Sequence, residues 1–178
     1  MFPYPLHPAI VHFPIALFIL APIVALGSLW AIRKGARPVR AWGLTLAVLG
    51  ALFITTWLAV ETGENDEDVV ERVVPRGAVH EHEEIAETFL LLTGVVLVVS
   101  AAGLVPVPAV ARTARILGTV GTFVLVVIGW KVGHTGGDLV YKHGAASAFT
   151  ELAAVKTSDA SMNTEGASTV AHRRGDLP

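Results

Sequence analysis

Long apolar stretches separated by short polar links dominate the pattern of residues along the chain. A helix needs about 20 mostly apolar residues to cross the hydrocarbon core of a bilayer. Four stretches meet this requirement, at residues 9–32, 41–60, 85–105 and 114–132. The links RKGARPVR and PVPAVART are short, so consecutive helices should pack as antiparallel neighbours. The pattern predicts an all-α protein, an integral membrane four-helix bundle with up-down topology.

The composition agrees with a membrane protein and excludes several kinds of site. Hydrophobic residues make up 53% of the chain and charged residues 16%, with a mean hydropathy of +0.61; soluble domains carry roughly 25% charged residues. The chain has no cysteine, which excludes disulfides, cysteine-based zinc sites, iron–sulfur clusters and c-type haem attachment. The opening MFPYPLHP lacks a basic segment, so we interpret the first apolar stretch as a retained span. The few basic residues lie beside the spans, and we expect no nucleic-acid partner.

The charges of the links predict the orientation. The first and third links and their margins carry basic residues and no acidic one: Arg33, Lys34, Arg37, Arg40, Arg112 and Arg115. The positive-inside rule places these links in the cytoplasm. The acidic segment 61–84 then lies outside with both termini, and we expect its run 61–71 to be a solvated loop. Tryptophans 30, 42, 57 and 130 lie near the span ends, as in an interfacial aromatic belt. The prediction is a multi-pass protein of the bacterial inner membrane, N-out and C-out.

Two regions are expected. Residues 1–144 form the four-helix transmembrane domain. Residues 145–178 are rich in Ser, Thr, Ala and Gly, and we interpret them as a flexible polar tail on the outer side, with a short helix near 146–155.

Six of the seven histidines lie in three motifs: HPAIVHFPIAL (7–17), VHEHEEIAETF (79–89) and GHTGGDLVYKHG (133–144). The topology brings all three motifs to the outer face. By helical rise, His12, His82 and His134 lie at similar depth and can meet in one layer, with His7 and His143 just beyond. His7 points about 140° away from His12, so one helix face cannot present both equally. A single histidine at this depth is typical of an interfacial residue, but six ionisable imidazoles at one face favour a shared site.

Other residues near this layer have supporting roles in the hypothesis. His80, Glu84, Glu87 and Glu61 are candidates for holding an imidazole N–H. Lys131 extends to the headgroups or pairs with a haem propionate. The glycines of GHTGG either stop the helix or let a flat ligand approach. Asp138 is interpreted as a cap or turn residue.

The three motifs together resemble a bacterial family of four-span membrane proteins known as domain of unknown function 2231. The resemblance covers roughly residues 5–146. The family is similar to the two-haem b-type cytochrome superfamily, which implies haem bound by histidines. By this resemblance the positions to carry over are His7, His12, His82, His134 and His143. The inner half of the chain has no histidine, so this chain alone is not expected to carry electrons across the whole membrane.

Three functions remain open. The first is a b-type haem protein of the outer leaflet that transfers electrons, with His12 as one axial ligand and His82 or His134 as the other. The second is a non-haem copper, zinc or iron site with the same histidines as ligands. The third is an accessory subunit of a larger redox or photosynthetic complex, or a homo-oligomer. An electron carrier or subunit is expected rather than a stand-alone enzyme.

Overall fold

The computed structural model describes residues 6–150 and residue 154, and this part of the chain contains helices and no strand. Four helices are long and apolar enough to cross a membrane: α1 (His7–Arg33), α2 (Pro38–Val70), α3 (Arg76–Leu104) and α4 (Pro108–Tyr141). Helix α1 is interrupted at Val11, between His7–Ile10 and His12–Arg33, and α3 ends in the 3-10 turn Ala102–Leu104. The all-helical class and the four predicted spans are confirmed.

Proline and glycine set the helix ends. Pro38 and Pro108 are the first residues of α2 and α4, and Pro75 directly precedes α3. Proline suits a first turn because its φ is already helical and its missing N–H has no partner there. Gly144 follows α4 with a φ of 71°, a conformation that glycine adopts without strain. The GHTGG sequence is therefore not the helix stop, because its glycines lie inside α4.

Helix α2 is longer than its apolar stretch. It continues to Val70, so the run at 61–70 is helical and the predicted solvated loop is wrong. The reason is a buried stripe that continues past the apolar residues, since Thr56, Ala59 and Asp66 all face the interior. A helix of 33 residues is about 50 Å long, against roughly 30 Å for a bilayer core. Its acidic turns therefore extend beyond the hydrocarbon.

The helices form a ring in which α1 packs on α2, α2 on α3, α3 on α4, and α4 back on α1. The centre of the ring is a cluster of large apolar side chains: Phe18, Leu49, Leu52, Phe89 and Leu125. Large apolar residues also cover the outside; Leu91 and Val127, for example, are 69% and 67% exposed. An apolar exterior of this kind fits contact with lipid.

At one end of the ring, hydrogen bonds and close packing on glycine hold the helices together. Trp42 is completely buried, and its Nε1 donates to the Ser100 carbonyl at 2.8 Å. It therefore does not belong to an interfacial belt, whereas Trp30 and Trp130 are exposed. Trp42 turns inward because Gly103, on the neighbouring helix, leaves room for its indole.

The opposite end, which we call the histidine end, contains His7, His82 and Gly136. It is closed by an apolar cluster of Val74, Val79 and Ala145. Residues 145–150 are helical, in agreement with the predicted short helix. The packed region thus continues past residue 144, where the sequence placed the start of the tail. Residues 155–178, which form most of that predicted tail, lie outside the described residues.

Candidate functional site

His7 begins α1 at the histidine end, and its ring is anchored to α2. Its Nδ1 lies 2.8 Å from the backbone oxygen of Ala59. A carbonyl oxygen only accepts, so Nδ1 carries the hydrogen and Nε2 of the neutral ring keeps its lone pair. The imidazole packs on Gly63, where a Cβ would lie 3.2 Å from both Cε1 and Nδ1.

His82 is anchored in the same way to α4. Its Nδ1 lies 2.9 Å from Oγ1 of Thr135. The Thr135 hydroxyl also lies 3.1 Å from the Val132 carbonyl, and when it donates there its oxygen accepts from Nδ1–H of His82. Gly136 makes room for the ring, because a Cβ there would lie 3.1 Å from Cε1 of His82. In this arrangement Nε2 of His82, like that of His7, is the nitrogen with a free lone pair.

These two imidazoles meet edge to face. Their ring centroids are 6.4 Å apart and their planes are inclined by 86°. Two imidazoles that bind one metal at about 2.1 Å have centroids roughly 5–6.5 Å apart, depending on the angle at the metal. The pair is therefore close to the spacing that a shared ion requires.

The structure does not bring His12, His82 and His134 together in the predicted layer. His12 is exposed on the opposite face of α1 from His7. His134 is 61% exposed, and its Nδ1 lies 3.7 Å from Asp138, which also pairs with Lys142 at 2.7 Å. His143 is exposed. The difference arises because α1 presents one face only, and because α4 remains helical, so that Thr135 and Gly136 face inward instead of His134.

A cavity of about 150 Å³ lies at this end, with His7 and His82 in its wall. The rest of the wall is mostly apolar, but it includes Glu64, Asp66, Glu67 and Glu83, and no lysine or arginine among the described residues. Asp66 is only 6% exposed, and its Oδ2 has no hydrogen-bond partner within the described part of the chain. The cavity therefore combines two imidazoles with several carboxylates, residue types that bind cations.

A group of three carboxylates stands beside the cavity. Glu64, Glu83 and Glu87 each place one carboxylate oxygen within 4.8 Å of the other two. Among the His, Asp and Glu residues that the structure describes, this is the group of three with ligand atoms so close together. Glu64 and Glu87 are exposed. The group adds negative charge at the mouth of the cavity, but solvent surrounds most of it.

The predicted supporting residues lie around the cavity rather than in its wall. His80 is 78% exposed and lies 3.6 Å from Glu83. Glu84, Glu87, Glu61 and Lys131 are also exposed. None of these five side chains lines the cavity. The imidazole N–H groups are instead held by Ala59 and Thr135.

Sequence reasoning missed Gly63, Asp66 and Thr135. A signal for the first two was present, because Ala59, Gly63 and Asp66 continue the helical spacing of the buried stripe of α2. For Thr135 the sequence offered no signal of a role in the site other than its position between His134 and Gly136.

The comparisons with known proteins agree with this membrane architecture. No curated protein and no solved structure matches the chain. Residues 3–148 match a family described as predicted membrane protein (DUF2231). The match spans the four helices and every described residue of the cavity wall except Phe149. The chain belongs to the DUF2231 family of membrane proteins.

Proposed function

We propose that the protein is a membrane metal-binding protein that holds one transition-metal ion between His7 and His82. The observation that carries this proposal is the anchoring of both Nδ1 atoms by the protein. In metal-binding histidines, the ring nitrogen that does not bind the metal usually donates a hydrogen bond, and this bond fixes the tautomer and orientation of the imidazole. It leaves both Nε2 atoms as lone-pair donors beside one cavity.

The size of the cavity favours an ion over a porphyrin. Pockets for drug-sized ligands and cofactors have roughly 300–1,000 Å³, whereas this cavity has about 150 Å³. An ion with a few water molecules fits this space. A porphyrin does not fit between the rings unless the helices move apart at this end.

A b-type haem is the second candidate, because one observation favours it. The centroid separation of 6.4 Å is close to that of two imidazoles on opposite faces of one iron, each at about 2.1 Å. The ligands would then be His7 and His82, in place of the predicted His12. The resemblance to two-haem cytochromes, electron transfer and membership of a redox complex stay predictions.

We further infer an up-down bundle with the histidine end and both termini on the outer side of the inner membrane. The basic links near residues 33–40 and 106–115 support this orientation, because they adjoin the opposite end of the bundle. The metal would then be exchanged with the periplasm.

The test is metal and haem analysis of the full-length protein purified in detergent after expression with replete iron, zinc, copper and haem. Elemental analysis is expected to give about one metal ion per chain, and His7→Ala and His82→Ala are each expected to lose it. His12→Ala and His134→Ala are matched controls, because these exposed imidazoles lie outside the cavity wall.

A reduced-minus-oxidised spectrum separates the two candidates. Sharp reduced bands that disappear in His82→Ala would establish haem and overturn the non-haem ion. Loss of metal in the His12 and His134 variants, but not in those of His7 and His82, would contradict the site itself. A protein without metal or haem would contradict both candidates.

A further inference from the structure

Asp66 is buried at the histidine end without the partner that a buried carboxylate requires. Asp66 is 6% exposed, and its Oδ2 has no hydrogen-bond partner among the described residues. An ionised carboxylate in such a place costs several kcal/mol unless an ion or hydrogen-bond donors compensate it. No ion pair among the described residues includes Asp66. Its burial is therefore explained either by a neutral, protonated carboxyl or by a positive partner.

The position of Asp66 connects it to the two histidines. It lies in the wall of the cavity that His7 and His82 also line. On α2 it follows Gly63, the residue on which the His7 ring packs, by three residues or about 4.5 Å of helical rise. Two imidazoles and one carboxylate thus reach the same cavity from three helices.

The charges of the cavity wall favour a cation as this partner. Glu64, Glu67 and Glu83 line the wall with Asp66, and among the described residues no lysine or arginine does. Glu64 is exposed and Glu67 and Glu83 are half-buried, so water hydrates their carboxylates, whereas Asp66 is buried.

We propose that Asp66 is the third ligand of the ion held by His7 and His82, which makes the site a two-histidine, one-carboxylate centre for a divalent cation such as Fe²⁺, Co²⁺ or Zn²⁺. This inference rests on the proposed function. The ligand set is typical of non-haem iron and of catalytic zinc sites, in which other coordination positions stay open. It disfavours Cu⁺, which prefers thiolate and thioether ligands. The ligand atoms of His7, His82 and Asp66 do not all lie within 4.8 Å of one another in this structure, so their side chains must turn toward the cavity to surround one ion.

The test uses Co²⁺ as the probe, because its visible absorption reports ligation directly. The full-length protein is stripped of metal in detergent and titrated with Co²⁺, and then with Zn²⁺ in competition. Asp66→Asn keeps the shape of the side chain and removes its charge, and it is expected to weaken Co²⁺ binding at least tenfold and to change the absorption at saturation. Asp68→Asn, at an exposed position of the same helix, is the control and is expected to bind as the parent does.

The folding of the variant is measured separately. Metal-free Asp66→Asn is expected to unfold at the same temperature as the metal-free parent or higher, since a neutral amide is less costly to bury than an unpaired carboxylate. Unchanged Co²⁺ affinity and spectrum in Asp66→Asn, with binding lost in His82→Ala, would overturn the role of Asp66 alone. Binding that survives both His7→Ala and His82→Ala, or no binding by the parent, would instead contradict the proposed function.

Discussion

Single residues position the two imidazoles more narrowly than the apolar packing around them does. His7 and His82 are each held through Nδ1, one by the backbone carbonyl of Ala59 and the other by the hydroxyl of Thr135. Each ring also rests on a glycine, Gly63 or Gly136. The glycines of the motif GHTGG thus do not end a helix. At least one of them is required because an imidazole occupies the space of its missing side chain.

A methyl group at Gly136 is predicted to disturb the metal site. In Gly136→Ala the new Cβ would lie 3.1 Å from Cε1 of His82, so the ring must shift by a few tenths of an ångström. Misplacing a supporting contact of a metal ligand typically costs 10–100-fold in affinity, and we expect about tenfold weaker Co²⁺ binding by titration.

Gly137→Ala is the matched control for this prediction. Nothing lies within 4 Å of a Cβ at Gly137, and alanine is favoured over glycine in a helix by up to about 1 kcal/mol. Its Co²⁺ affinity should be unchanged and its thermal midpoint equal or higher. Equal affinities in the two variants would show that Gly136 does not position His82.

At the scale of the helices, the apolar pattern predicted which segments are helical but not where the helices end. Hydropathy ended the second span at residue 60, whereas burial continues to Asp66 and Val69. Hydropathy measures the preference for lipid, whereas the last turns of α2 and α4 are held by packing against the apolar cluster that closes the histidine end. Those turns carry most of the cavity wall, so the spans alone did not indicate that His7 lies beside His82.

The inward faces of the helices were predictable only in part. Phe89 and Thr93 follow His82 at helical spacing, and both are buried, so the pattern of α3 indicates the inward face of this helix. The choice between His7 and His12 was not predictable, because it depends on which face α1 turns to α2. That choice is made by contacts with Ala59 and Gly63, which lie far away in the sequence.

Close contact between α3 and α4 leads to a second prediction. A Cβ on Gly118 would meet Oγ of Ser100 and lie 3.4 Å from the Cα of Ser100. Small residues of this kind let membrane helices approach closely. Gly118→Ala should therefore separate the helices and destabilise the protein by about 1–3 kcal/mol, the usual cost of overpacking.

The measurement is thermal or denaturant unfolding in detergent. Gly50→Ala is the control, because nothing lies within 4 Å of a Cβ there. The Co²⁺ affinity of folded Gly118→Ala should match that of the parent, since Gly118 lies outside the wall of the cavity. A stability equal to that of Gly50→Ala would mean that this contact does not limit the packing of α3 on α4.

At the scale of the whole molecule, the two ends of the bundle carry opposite charges. Its histidine end carries the carboxylates of α2 and α3, and its other end carries the basic residues of the two short links. The outside between these ends is covered by large apolar side chains. Such an object has a single favourable depth in a bilayer, and the basic residues of the short links favour one orientation, with their end in the cytoplasm. The site would then meet the solution on the acidic side.

Cysteine labelling tests this orientation, because the native chain has no cysteine and each introduced thiol is a unique reporter. Arg72 and Ala36 are exposed positions in the links that follow α2 and α1. In spheroplasts, a membrane-impermeant maleimide should label Arg72→Cys directly, and Ala36→Cys only after the membrane is opened. The reverse pattern would place the histidine end in the cytoplasm and contradict the inferred exchange of metal with the periplasm. Labelling of both in intact spheroplasts would show that the two links do not lie on opposite sides, and the up-down bundle would then be wrong.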